Sequence, residues 1–171
     1  MAYLYKVKSI EDFEDYYLIK SDPTAILWSG FSTAPDKEKL KDHFMYLIGN
    51  HDDNLENGGG KILVYLKDEE TNKVMGYDLM TRIDDETIES SGHSILSNYQ
   101  GKGLGTILFK LLVNLARDLG YKKFTGWISE NNIGSIKNVE RNGFVRTNEF
   151  RKVKLAAFDR EDIFYKYECI L

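Results

Sequence analysis

The run LGTILFKLLVNLARDLG, residues 104–120, has the least freedom of any segment in the chain. Leu104, Ile107, Leu108, Leu111, Leu112, Leu115 and Leu119 recur at steps of three and four, and Gly120 stands where a left-handed helix stop is expected. Such a segment must be a helix with one face in a core. The stretch before it is of the opposite kind. In QGKGLG, Gly101, Gly103 and Gly105 take alternate positions, so the most permissive residues lie where the helix has to start. A helix start exposes unpaired N–H groups and the positive end of the dipole, and glycine lets an anion approach both. A tight strand-to-helix turn accounts for the glycines equally well. The Walker lysine followed by Ser or Thr is absent, and the spacing does not give G-x-G-x-x-G.

The neighbours of this helix alternate in type. Strands are predicted over 3–9, 61–68, 73–84, 87–97 and 122–129, with two closing strands in FVRTNEFRKVKLAAFD and DIFYKYECIL. Helices are predicted over 11–22, from residue 36, and over 132–142 up to Gly143, while TAILWSGF reads as a strand or buried loop. The pattern is mixed α/β, and 171 residues that are 42% hydrophobic suffice for one core, so a single domain over 1–171 is expected. A net charge of -4 without a basic stripe argues against nucleic acid as a partner. ILFKLLVNLA is interrupted by Lys110 and Asn114, so no membrane span is expected. The single cysteine, Cys169, excludes an intramolecular disulfide and a Cys-rich zinc site, and no metal ligand set is expected. The charged start MAYLYKVKSIEDFEDYY is unlike a signal peptide, which points to the cytoplasm.

Two motifs in register carry a family resemblance. Gln100 to Gly105 fits the Gln/Arg-x-x-Gly-x-Gly/Ala signature of the GCN5-related N-acetyltransferase (GNAT) superfamily, between a strand and a long amphipathic helix as that signature is. NIGSIKNVERNGF, residues 132–144, resembles the family's downstream segment, with Asn132 opening a helix and Gly143-Phe144 closing it. Its Asn-x-x-Ser form is most similar to the branch that acetylates ribosomal-protein N-termini and many small amines. The resemblance covers roughly residues 61–144.

It implies the acyl-CoA N-acyltransferase fold: a central mixed, mostly antiparallel sheet flanked by helices, whose fourth and fifth strands, about 87–97 and 122–129, splay around acetyl-CoA. It implies an N-acetyltransferase that moves the acetyl group of acetyl-CoA to a primary amine by direct attack on the thioester. The alternative is a catalytically weak acyl-CoA-binding or sensing module. The backbone of Gly101, Lys102, Gly103, Leu104 and Gly105, opened by Gln100, would receive the pyrophosphate, with added charge from Lys102. A bulge near Ile95 would free N–H groups for the pantetheine arm and the thioester carbonyl. Asn132 would bond the cofactor arm or cap its helix. The acceptor would be a small-molecule or peptide amine, and homodimers are common among relatives.

Acetyl transfer needs a base for the amine, an oxyanion stabiliser and a proton source for the departing thiolate. By the two-residue period of a strand, Glu89, Ser91, His93 and Ile95 share a face. Glu89 stands where the histone-acetyltransferase branch places its general base, and His93 is the second candidate. Val139 occupies the position at which many members carry an acid tyrosine, so the role toward the thiolate passes by resemblance to Ser135. Trp28, Phe31, Tyr46, Asp22, Asp52 and Asp53 are possible acceptor contacts, each with an ordinary reading as core or solvated loop.

Overall fold

The apolar run KILVYLKD forms β2 (Lys61–Asp68), and its continuity follows from being covered on both faces. Ile62, Val64 and Leu66 enter one core, while Leu63 and Tyr65 enter a second. In this computed structural model, which describes residues 1–49 and 60–171, β2 is one of seven strands of a single sheet. The others are β1 (Ala2–Lys6), β3 (Val74–Arg82), β4 (Thr87–Ile95), β5 (Lys123–Ser129), β6 (Val145–Leu155) and β7 (Arg160–Ile170). Their order is β1-β2-β3-β4-β5-β7-β6, and all neighbours are antiparallel except β4 and β5. This is the expected mixed, mostly antiparallel α/β fold. Asp52 and Asp53 lie outside the described residues.

Helices cover both faces. α1 (Phe13–Ser21) and α3 (Lys37–Gly49) send Phe13, Tyr16, Ile19, Leu40, Phe44 and Leu47 onto the side of Leu63 and Tyr65. α4 (Leu104–Asp118) and α5 (Ile133–Glu140) lie on the other. The most buried positions of α4 are Leu108, Phe109, Leu112, Val113 and Ala116, with Leu104, Leu111, Leu115 and Leu119 packed at its margins. The contact face is therefore rotated from the leucine stripe toward Phe109. Ile107, on that stripe, is only half-covered.

TAILWSGF is neither strand nor buried loop at its start. Asp22 caps a short helix, α2 (Pro23–Leu27), its carboxylate accepting the Thr24 N–H at 3.0 Å with Pro23 in the first turn. The Asp-Pro pair carried that signal in the sequence.

Two irregularities of β4 shape the molecule. It pairs with β5 from Thr87/Lys123 to Ser90/Gly126 and no further, although β4 continues to Ile95 and β5 to Ser129. The expected splay is thus present. At the same level Leu79 of β3 faces Gly92 while Met80 faces Ser90, so Ser91 is an extra, bulged residue.

Phe109 meets the rings of Phe124, Phe144 and His93 at centroid distances of 6.4, 5.7 and 4.9 Å, which joins α4 to both parted strands. Phe109→Ala is expected to cost about 3–5 kcal/mol of stability, measured by denaturant unfolding.

Candidate active site

The bulge decides where the side chains of β4 go. One inserted residue reverses the alternation beyond it. Ile88 lies in the core beneath α4, and His93, five positions on, also faces α4, its ring edge-to-face on Phe109. Glu89 points to the opposite side, where its Oε1 accepts the Trp127 indole N–H at 3.0 Å and the Thr125 hydroxyl at 3.5 Å. Glu89 and His93 therefore do not share a face, contrary to the simple strand period. The bulge also sits at Ser91 and not near Ile95, because Gly92 and Ser90 are the residues that straddle the shift in register.

Beyond the bulge the backbone has a clear polarity. The Leu96 N–H bonds the Met75 carbonyl, continuing the ladder to β3. Antiparallel alternation then turns the backbone groups of His93 and Ile95 to the parted side. The Ile95 carbonyl there accepts the Gln100 amide at 3.1 Å, and the same amide nitrogen reaches the Thr24 hydroxyl at 2.9 Å. Gln100 thus ties the glycine turn to β4 and α2.

The three glycines serve two purposes. Gly101 (φ 76°) and Gly103 (φ 77°) are left-handed, with open space where a side chain would stand. Gly103 is the N-cap of α4 and no side chain caps this helix, so the first-turn N–H groups of Leu104, Gly105 and Thr106 face the opening. Gly105 is different: a Cβ there would lie 2.1 Å from the Asn138 amide nitrogen on α5. Asn138 in turn accepts the Thr106 hydroxyl at 3.2 Å, which locks α4 against α5. Lys102 stands outside the cleft lining, its Nζ 5.6 Å from the Tyr99 ring centroid.

Across the gap, Asn132 caps α5 by accepting the Ser135 N–H at 3.3 Å. The Ser135 hydroxyl lies 3.4 Å from His93 Nε2, so the fold brings two of the three candidate catalytic side chains together from β4 and α5. Burial against Phe109 pushes the His93 imidazole down to about 4, and it is neutral at pH 7. Val139, at the tyrosine position, is fully buried in the core and offers no acid.

His93, Ile95, Gln100, the three glycines, Leu104, Asn132 and Ser135 line one cleft of about 880 Å3 between β4 and β5, and Glu89 stands outside its lining. Trp28, Phe31 and Trp127 are among its aromatic lining. Tyr46 does not line it, and Asp22 spends its carboxylate on Thr24 and on the Ser97 N–H and hydroxyl. Sequence reasoning missed Asn138, Arg141, Lys20 and Arg151, which also line the cleft. The i, i+3 spacing of Ser135, Asn138 and Arg141 on one helix face was the available signal for two of them.

Two outcomes follow. Gly105→Ala is expected to lose about 1 kcal/mol by forcing the Asn138 side chain out of its bond with Thr106, and the loss is expected to shrink in an Asn138→Ala background, as a double-mutant cycle of unfolding energies will show. For His93, whose folded value lies below its unfolded one near 6.5, stability is complete above pH 6.5. It falls as pH drops toward 4, because the unfolded chain takes up the proton first. His93→Gln is expected to flatten that acid limb of the Tm profile, with His43→Gln as the control for the other histidine lowered by burial.

A model of the acetyltransferase (GNAT) family matches residues 16–144. No curated protein matches the sequence. Among solved structures, spermidine N-acetyltransferase from Vibrio cholerae, in complex with CoA and spermine, has a TM-score of 0.81 at 13% identity over 99% of this chain and 95% of that one. A GNAT superfamily phosphinothricin acetyltransferase from Sinorhizobium meliloti, in complex with AcCoA, has a TM-score of 0.74 at 20% identity over 99% and 88%. Ribosomal-protein-alanine N-acetyltransferase from Brucella melitensis has a TM-score of 0.73 at 19% identity over 99% and 99%. At these identities the likeness is one of fold, and the named acceptors differ too widely to select a branch.

Proposed function

The chain belongs to the acetyltransferase (GNAT) family and is an acetyl-CoA-dependent N-acetyltransferase, and from that premise we propose that a primary amine attacks the thioester directly between β4 and β5. The observation that carries the reading is the uncapped start of α4, with its left-handed glycines, opening onto the place where the two strands part. Gly101 to Gly105, with the N–H groups of Lys102 and Leu104, fit a pyrophosphate, since the space beside both left-handed positions is open and no side chain fills it. The cap on α5 uses the Asn132 oxygen and leaves its amide nitrogen for the cofactor arm. The bound donor supplies an acetyl group activated as a thioester.

The chain's own groups then divide the work. The backbone N–H groups of His93 and Ile95, turned to the parted side, stabilise developing negative charge on the carbonyl oxygen. With its proton on Nε2, the neutral His93 donates to the Ser135 oxygen and directs the serine hydroxyl at the sulfur, which replaces the missing tyrosine. Pairing with Ser135 commits His93 to this side of the reaction. Glu89, beside Trp127 on the opposite face, remains to accept the amine proton through water. The Asn132-x-x-Ser135 form supports a place near the branch acting on protein N-termini and small amines, within one domain over 1–171.

Thiol release from acetyl-CoA across a panel of amines and free peptide N-termini tests the reading. Ser135→Ala is expected to lower kcat about 10²-fold while changing the Kd of acetyl-CoA less than about threefold. An unchanged kcat removes Ser135 from the mechanism. Binding without turnover on every amine supports the sensing module instead.

A further inference from the structure

Four cations line the cleft, and the donor accounts for only two of them. Lys137 and Arg141 on α5 flank the glycine turn, where phosphate groups belong. Lys20 of α1 and Arg151 of β6 line the same cleft away from that turn, Lys20 through Tyr77 beside Gly92 of β4 and Arg151 over Trp127 of β5. Lys20 is half-buried. Its Nζ donates to the Tyr77 hydroxyl at 3.2 Å, which leaves two of its three donors unused. Arg151 stacks on the Trp127 ring, 4.4 Å from its centroid. Among the described residues neither cation has a carboxylate partner, and no Asp or Glu lines the cleft. Glu89, the one candidate carboxylate nearby, is turned to Trp127 and Thr125.

We infer that the acceptor bears an anionic group beside its amine, as an amino acid does, with an apolar body, and that Lys20 and Arg151 recognise that anion. The inference rests on the transferase reading above and names its substrate class. A carboxylate takes charge-assisted bonds from the open donors of either cation. A polyamine meets two like charges in a cleft partly closed to water. The aromatic surface of Trp28, Phe31 and Trp127 suits the apolar body. Lys20 already acts on its surroundings, since together with burial it holds the His43 imidazole below its ordinary value. The same field favours the unprotonated amine that attack requires. The overall charge of -4 is therefore not the charge that an acceptor meets in the cleft.

The test is thiol release by the full chain with matched acceptors: phenylalanine and methionine, the same two compounds with the carboxylate amidated, and spermidine. The free amino acids are expected to exceed their amides at least about tenfold in kcat/KM. Lys20→Met and Arg151→Met are each expected to shrink that ratio at least about fivefold, with the Kd of acetyl-CoA retained as proof of folding. Amides or spermidine used as well as the free amino acids, or a ratio unmoved in both variants, overturns the inference. If no amine is acetylated, the transferase reading fails and binding decides the charge question alone. Trp28 and Trp127 are the only tryptophans and both line the cleft, so their fluorescence reports binding directly. Tighter binding of the amino acid than of its amide upholds the inference, and equal or weaker binding overturns it.

Discussion

The early end of the β4–β5 pairing is the constraint from which the rest of the site follows. Four parallel rows hold the two strands together, and after Ser90/Gly126 each is held by its outer neighbour alone. β3 keeps the ladder to β4 as far as Ile95, and β7 pairs with β5 along its whole length to Ser129. The inner edges then carry backbone donors and acceptors that no strand satisfies, and such groups must find another partner. A ligand that inserts there as if it were a strand supplies one. The Ser91 bulge lies at the same level, so the change in direction and the change in side-chain facing happen together.

Polar clusters stand at both ends of the gap, and their carboxyl groups are shifted in opposite directions. Where the strands begin to part, Ser90 donates to Asp78, whose carboxyl is wholly buried with one oxygen unpartnered. Burial raises that carboxyl well above its usual range, against the smaller opposing effect of the Ser90 hydrogen bond. At the far end, Ser129 donates to Asp162 at 2.6 Å, and Arg160 bonds both oxygens of the same carboxylate. That partner keeps Asp162 ionised and pulls it down to about 2. One cluster joins β3 to β4 and the other joins β5 to β7. Each therefore fastens a parted strand to the neighbour that still holds it.

Much of this was legible in order along the chain. The long helix was readable because its period persists over four turns, and the glycine turn because two of its residues must adopt positive φ. The paired motifs around Gln100–Gly105 and Asn132–Phe144 placed the cofactor end, since both lie in short contiguous segments. Other features had signals that were present but weak. Gly92 inside a strand marks a bulge, and Asp22-Pro23 marks a helix start, yet each is a single local cue competing with a longer pattern.

By itself the sequence determined the types of the long elements, though not of the short helix α2, together with the sheet class, the glycine turn and the family, because these are written in periodicity or in short motifs. Tertiary structure alone decided that His93 meets Ser135, that Glu89 turns away to Trp127, and that Lys20 and Arg151 line one cleft. The physical reason is separation. His93 and Ser135 are 42 positions apart, and their contact depends on one inserted residue and on where a helix is capped, not on any local spacing. A face assignment made from a two-residue period survives only while the register does, and the register of β4 is set by its neighbours.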